Sequence, residues 1–151
     1  MTDDLMDILI PLIIALIAVA LTHVLISYRD YIRLRNGFIT EFEENYDNYL
    51  FYRESETPTL MTLFSNSAFL EFRNKGYLLN IDSGVKSELN AIYLYLESLN
   101  HIIINYQISI SDDRIKKSLK SEFLSFVENL DFFDFPGNLE YLQKLSYWDI
   151  I

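Results

Sequence analysis

The amino-acid sequence predicts an all-α protein in which an N-terminal transmembrane helix continues into a stalk and then into a small antiparallel helical bundle. Three observations predict this fold class. Residues 8–28 form one apolar run, and residues 85–106 carry apolar side chains at heptad spacing. The 151 residues include only four Gly and three Pro, which leaves few positions suited to turns. Half of the residues are hydrophobic, which excludes a disordered chain.

The apolar run, ILIPLIIALIAVALTHVLISY, spans residues 8–28 without a formal charge when His23 is neutral. As a helix it is about 31 Å long, close to the ~30 Å hydrocarbon core of a bilayer. Thirteen of its 21 residues are Leu, Ile or Val, and these favour insertion by roughly 4 to 8 kcal/mol. The run therefore predicts a transmembrane helix, loosened near its start by Pro11.

Three other interpretations of this run are weaker. A cleaved signal peptide has a basic n-region, whereas Asp3, Asp4 and Asp7 precede this run, which also continues past the cleavage-like Ala18–Ala20 segment. A buried core helix usually has a polar stripe, and this segment has none. A pilin-like filament subunit carries a basic leader and strand signals downstream, and neither is present.

Basic residues predict the orientation. No Lys or Arg precedes the span, and three Arg follow within seven residues of Tyr28. The positive-inside rule places the N-terminus outside the cell membrane and the C-terminal domain in the cytoplasm. We expect the membrane interface to be formed by Tyr28, Arg29, Tyr31, Arg33 and Arg35, since Tyr and Arg suit the headgroup region.

This interpretation divides the chain into four parts. Residues 1–7 are a short extracytoplasmic N-terminus, residues 8–28 the transmembrane helix, residues 29–58 a juxtamembrane stalk helix with a linker, and residues 59–151 a cytoplasmic helical bundle. The stalk is predicted from apolar residues at helical spacing, and its opposite face is predicted to be a solvated stripe of Glu41, Glu44, Asp47 and Asn48.

Three further helices are predicted in the bundle. The first runs from about Thr59 to Asn74 and ends at Gly76. The second is the central helix, capped by Asp82 or Ser83; its heptad positions are Val85, Leu89, Ile92, Leu96, Leu99, Ile103 and Tyr106. The third is opened by residues 111–113 and ended by residues 134–138. A last amphipathic turn or two and a hydrophobic C-terminus follow.

Few residues of the sequence could support catalysis. There is no Cys and no glycine-rich phosphate loop, and the two His are His23 and His101. Glu97 and His101 share a helix face, which is more typical of a surface pair than of a metal site. We therefore expect no enzymatic activity, no catalytic residue, no metal and no cofactor. The net charge of −10 argues against nucleic acid as a partner, and no small-molecule substrate is indicated.

Two charged clusters also have a plain interpretation. The acidic block from Glu41 to Asp47 lacks the loop geometry of a calcium site and is typical of a solvated face. Arg114, Lys116, Lys117 and Lys120 form a basic patch that could face anionic lipid, although a solvated helix face is the simpler interpretation.

The central part of the chain carries three short patterns, at residues 69–82 (FLEFRNKGYLLNID), 88–93 (ELNAIY) and 99–100 (LN). In these patterns it resembles a group of uncharacterised prokaryotic single-pass membrane proteins. Members have a membrane helix, a helix leading to a Gly-Tyr/Leu-Leu turn, and a capped helix with this pattern. Phe occupies the region where they often carry Trp. The resemblance implies a cytoplasmic helical bundle and a prokaryotic setting, and it implies no catalytic residues.

These observations predict a membrane-tethered helical interaction or scaffold module. Its partners are the lipid bilayer and another protein or a second copy of the chain. We expect the hydrophobic C-terminus to dock onto the bundle or onto that partner through Tyr147, Trp148, Ile150 and Ile151. The alternative is a membrane-acting effector, such as a toxin, a holin-like protein or a phage-defence protein. A pilin-like subunit is a further alternative.

Overall fold

The computed structural model describes residues 2–55, 63–109 and 112–147, with side chains from residue 8 onward. These residues form five helices and no strand: α1 (Thr2–Ser55), α2 (Ser67–Asn74), α3 (Ser83–Ile108), α4 (Asp113–Leu130) and α5 (Phe135–Lys144). The predicted all-α fold class is confirmed.

The longest element, α1, is a single helix of 54 residues that continues through Pro11. At 1.5 Å per residue it is about 80 Å long. Its N-terminal part projects from the bundle, and its C-terminal part lies within it. The side chains of α1 that are buried in the bundle begin at residue 31 and recur mainly at spacings of three, four and seven: Tyr31, Leu34, Phe38, Phe42, Tyr49 and Tyr52. The predicted stalk is thus also a core helix of the bundle.

The central helix α3 matches its sequence pattern closely. Five of its seven heptad positions, Leu89, Ile92, Leu96, Leu99 and Ile103, are buried. The Asp82 carboxylate caps the helix, accepting hydrogen bonds from the backbone N–H groups of Gly84 at 2.8 Å and Val85 at 3.2 Å. Tyr93 and Ile102 are buried as well, because α3 is contacted on more than one side.

The helix α2 begins later than predicted. Residues 59–62 lie outside the described residues, and residues 63–66 are not helical. The backbone of this segment is held by side chains of other helices, because Asn100 pairs with Phe64 and Asn45 pairs with Ser65. These long-range hydrogen bonds replace the helical ones that the local sequence would favour.

The last two helices return along α1 towards the projecting part. The Phe123 ring of α4 packs on Tyr52, and the Phe135 ring at the start of α5 packs on Phe42. Asp112 and Asp134 cap the two helices through their carboxylates. Ser111 of the predicted first cap lies outside the described residues, and the predicted final amphipathic turns form the ten-residue helix α5.

Candidate functional site

The first part of the candidate site is the bare N-terminal half of α1. Every side chain from residue 8 to residue 26 is exposed, and its apolar residues face outward all around the helix. The segment has a mean hydropathy of 2.8 with none of its most apolar window buried in the bundle. A helix that is apolar on all sides is typical of a membrane span. It is one apolar N-terminal helix that could cross a membrane.

The second part is the junction where this bare helix enters the bundle. Tyr31 is completely buried there. Its ring packs against Tyr77 at 5.3 Å and against Tyr147 at 5.4 Å, measured between ring centroids. Its hydroxyl donates to the carbonyl oxygen of Leu145 at 3.2 Å. One turn earlier, Tyr28 meets Tyr147 edge to face at 5.3 Å. An aromatic cluster therefore joins α1 to the end of α5 and to the turn after α2.

The predicted interface residues separate into two groups. Tyr28, Arg29 and Arg33 are exposed at the end of the bare helix, and Arg33 lies 3.5 Å from the Glu71 carboxylate. Tyr31 and Arg35 instead serve the bundle. The prediction that Tyr31 lies at a lipid surface is wrong, because the rings of Phe72, Tyr77 and Tyr147 cover it.

Arg35 caps the C-terminus of α5. Its Nε donates to the carbonyl oxygen of Leu142 at 3.1 Å, and its Nη2 donates to the carbonyl oxygen of Gln143. A guanidinium at this position satisfies carbonyls that have no partner within the helix and favours the negative end of the helix dipole. The role of Arg35 is therefore to fix α5 to α1 next to the junction.

The predicted partner-binding C-terminus is only partly described. Trp148, Ile150 and Ile151 lie outside the described residues. Tyr147 is buried at 7 % exposure between Tyr28 and Tyr31. Its ring packs within the chain, which is the first of the two contacts expected for the C-terminus, and partner binding by the C-terminus stays a prediction.

The Glu41 carboxylate is buried in the bundle and accepts hydrogen bonds from several groups. Glu41 is 5 % exposed, so its predicted place in a solvated stripe is wrong. Its Oε2 accepts from the Ser65 hydroxyl at 2.8 Å and from the Ala68 N–H at 2.8 Å. Its Oε1 accepts from the Phe69 N–H at 3.0 Å and from the Tyr93 hydroxyl at 3.0 Å. A side chain of α1 thus caps α2, whose own N-cap Asn66 makes no side-chain capping bond.

Two asparagine amides complete this arrangement, here called the polar clasp (Glu41, Asn45 and Asn100 around residues 64–69). Asn45 accepts from the Ser65 N–H at 2.9 Å and donates to its carbonyl at 2.7 Å. Asn100 pairs with Phe64 in the same two-way manner, both distances being 2.8 Å. The clasp holds a non-helical segment between α1 and α3. No local sequence signal predicts it, because each of the three side chains lies 20 to 36 residues from the backbone that it binds.

The other charged and titratable residues singled out in the sequence do not come together in one site within the described residues. Within the described residues no group of three His, Asp or Glu side chains could hold a metal ion. Glu97 and His101 are both exposed on α3. The basic patch of Arg114, Lys116, Lys117 and Lys120 lies in the first half of α4. That half of the helix is at the end of the bundle away from the bare helix, because Phe123 is level with Tyr52.

Comparison with known proteins gives no relative from which a function could be transferred. No family model matches the chain, no curated protein matches it, and no solved structure matches it. The resemblance to prokaryotic membrane proteins therefore stays a prediction from the sequence.

Proposed function

We propose that this chain is a single-pass membrane protein whose helical bundle is a non-catalytic scaffold for a protein partner at the cytoplasmic face. The observation that carries the proposal is the change of environment along one unbroken helix. From residue 8 to residue 26 the side chains of α1 are exposed and mostly apolar, and from Tyr31 onward one face of the same helix is buried in the bundle. In the proposed arrangement a bilayer removes the apolar side chains of residues 8–26 from water. The bundle does the same for the apolar face of α1 from Tyr31 onward.

The continuous helix makes the proposed anchor rigid. No Gly lies between Ile8 and Asn36, and α1 has no break there. The aromatic cluster and Arg35 brace the helix where it enters the bundle. A partner would therefore be held at a set distance from the end of the proposed span, unlike a domain on a flexible linker. The three Arg after the span support a cytoplasmic bundle through the positive-inside rule.

The outward face of α3 is the proposed partner surface. Leu94, Ile104 and Ile108 are exposed on this face, within about 80° of one another at 100° per residue. Apolar side chains grouped on a surface favour protein contacts, either with another protein or with a second copy of the chain. This surface takes the place of Tyr147, which is occupied within the bundle.

Membrane extraction tests the anchor. The double variant Leu16→Lys/Val19→Lys puts two charges into the proposed span, each costing about 3 kcal/mol near the bilayer centre. We expect carbonate to release this variant from membranes while the parent chain stays bound. The matched control is Leu94→Lys/Ile108→Lys, which changes residues of similar exposure in the bundle: 62 and 69 % in the span, 64 and 74 % on α3. Equal retention of both variants would contradict the anchor.

The absence of Cys from the chain allows a direct test of the orientation. Thr2→Cys and Ser118→Cys place single thiols on either side of the proposed span. An impermeant maleimide added to intact cells is expected to label the first and spare the second. The reverse pattern would contradict a cytoplasmic bundle.

The partner surface is tested by placing a photo-crosslinking amino acid at Leu94 in the full chain, with the exposed Glu44 of α1 as the control position. The scaffold predicts a discrete crosslinked species from Leu94 alone. Membrane depolarisation on expression, lost in Leu16→Lys/Val19→Lys, would instead favour the membrane-acting effector.

A further inference from the structure

The turn between α2 and α3, residues 75–81, carries an apolar side chain that the bundle leaves uncovered. Leu79 is 74 % exposed, although its neighbours Leu78 and Ile81 are buried in the core. The turn is internally fixed: the Gly76 N–H donates to Arg73 O at 2.9 Å, and the Leu79 N–H donates to Gly76 O at 3.0 Å. Gly76 adopts φ +82, which favours glycine. Leu79 is therefore held outward by a defined turn.

This turn lies at the end of the bundle next to the bare helix. The helix α2 runs towards that end, since Phe64 packs on Tyr52 while Phe72 packs on Tyr31. Tyr77 then meets Tyr31 at 5.3 Å. Because Tyr31 is three residues past Tyr28, Tyr77 lies about 5 Å along the helix axis from Tyr28. Leu79 follows two residues later.

Lysine side chains lie on both sides of the exposed leucine in the chain. The Lys86 ammonium donates to the carbonyl oxygen of Leu79 at 3.4 Å. Lys75, just before Gly76, is exposed. An apolar side chain accompanied by Lys is an arrangement that inserts into the interface of a bilayer, where the ammonium groups meet lipid phosphates.

We propose that the α2–α3 turn docks on the phospholipid headgroups of the leaflet that α1 leaves, with Leu79 inserted and Lys75 and Lys86 facing phosphate. The inference rests on the proposed membrane anchor and deepens it. Two contacts with the same leaflet, the span and the turn, fix the tilt of the bundle, whereas the span alone leaves that tilt open.

Single thiols on the full chain test the docking. Leu79→Cys and Ile108→Cys are matched, since both parent residues are 74 % exposed and they lie at opposite ends of α3. Each is labelled with an environment-sensitive fluorophore in vesicles of phosphatidylcholine and phosphatidylglycerol that contain a headgroup-level nitroxide lipid. We expect roughly threefold stronger quenching at position 79 than at position 108, with a blue-shifted emission.

A third labelled variant distinguishes a failure of the proposed docking from a failure of the proposed membrane anchor. Leu16→Cys reports the span through a lipid with its nitroxide deep in the acyl chain. Quenching at position 16 with equal, weak quenching at positions 79 and 108 would overturn the docking and leave the anchor intact. No quenching at position 16 would overturn both.

Discussion

The two halves of α1 belong to one helix and are both rich in large apolar residues, yet their surroundings differ. In residues 8–26 the apolar side chains are exposed around the whole circumference. In residues 31–52 they lie mainly on one face, with Phe51 as an exposed exception. They are mostly aromatic, and those of the packed face contact four other helices or their connecting turns. The bare half uses aliphatic residues, which the hydrocarbon of the proposed bilayer would solvate. The bundle half uses rings in specific contact, such as Phe38 with Phe69 at 5.6 Å and with Phe72 at 5.3 Å.

This difference teaches where the stability of the chain resides. A residue facing lipid has no fixed neighbour, so a shorter side chain leaves no cavity. A residue in the bundle has close-packed neighbours that cannot fill the space left by a truncation. Equal truncations in the two halves should thus have unequal effects on unfolding.

The largest effect is expected at Phe38, which is completely buried. Phe38→Ala should lower the free energy of unfolding by about 3–5 kcal/mol through the lost transfer free energy and the cavity. Leu16→Ala in the span should change it by less than about 0.5 kcal/mol. Denaturant titration of the full chain in mild detergent, followed by circular dichroism, measures both. Similar losses would remove the distinction between the two halves.

The next largest effect is expected at Glu41, an acidic side chain that is buried in the bundle half of α1. Glu41→Ala should cost about 3 kcal/mol, because it leaves the N–H groups of Ala68 and Phe69 and the Tyr93 hydroxyl without their acceptor. The control is Glu44→Ala, three residues along the same acidic run and exposed, with an expected change of at most about 0.5 kcal/mol. Equal losses from the two variants would argue against the polar clasp as a stabilising element.

A smaller effect should appear at alkaline pH. Burial raises the pKa of the Tyr93 phenol above its ordinary value of 10.0, and the Glu41 carboxylate raises it further. Since the folded pKa lies above the unfolded one, this stability is fully present below pH 10 and is lost as the pH rises above it. We expect a loss of about 1 kcal/mol between pH 10 and pH 11.

Tyr93→Phe isolates the contribution of this phenol. The variant should be less stable at pH 8, because the hydrogen bond to Glu41 is lost, and its stability should fall less steeply above pH 10. Thermal unfolding at a series of pH values provides the comparison. An alkaline slope unchanged from that of the parent chain would exclude Tyr93 as its source.

The smallest expected effect has the opposite sign. Gly37 lies in the interior of α1, and a Cβ there would meet the Ala68 Cβ at 4.0 Å, an ordinary contact. Gly37→Ala should therefore stabilise the bundle half by about 0.5–1 kcal/mol through helix propensity. Gly84→Ala is the control, since its Cβ would come within 3.1 Å of the capping Asp82 carboxylate. A destabilised Gly37→Ala would contradict the 4.0 Å spacing between α1 and Ala68 of α2.

Several features of the molecule follow from local sequence alone. The bare half of α1 is recognisable because uniform apolarity over 21 residues needs no partner to be interpreted. The helix α3 is recognisable because its heptads persist for three repeats, and its start is marked by Asp82, whose carboxylate bonds within three residues. Each of these signals lies within one segment of the chain, where short-range geometry decides the outcome.

Other features were decided only by the tertiary structure. Glu41 looks like its acidic neighbours in the sequence, yet it is buried because donors 24 to 52 residues away converge on it. Tyr31 looks like an interfacial tyrosine, yet Leu145, 114 residues later, accepts its hydroxyl. The helix α2 starts late because Asn45 and Asn100 bind the backbone before it. In each case the deciding contact joins distant segments, and helical periodicity carries no information about which distant groups will meet.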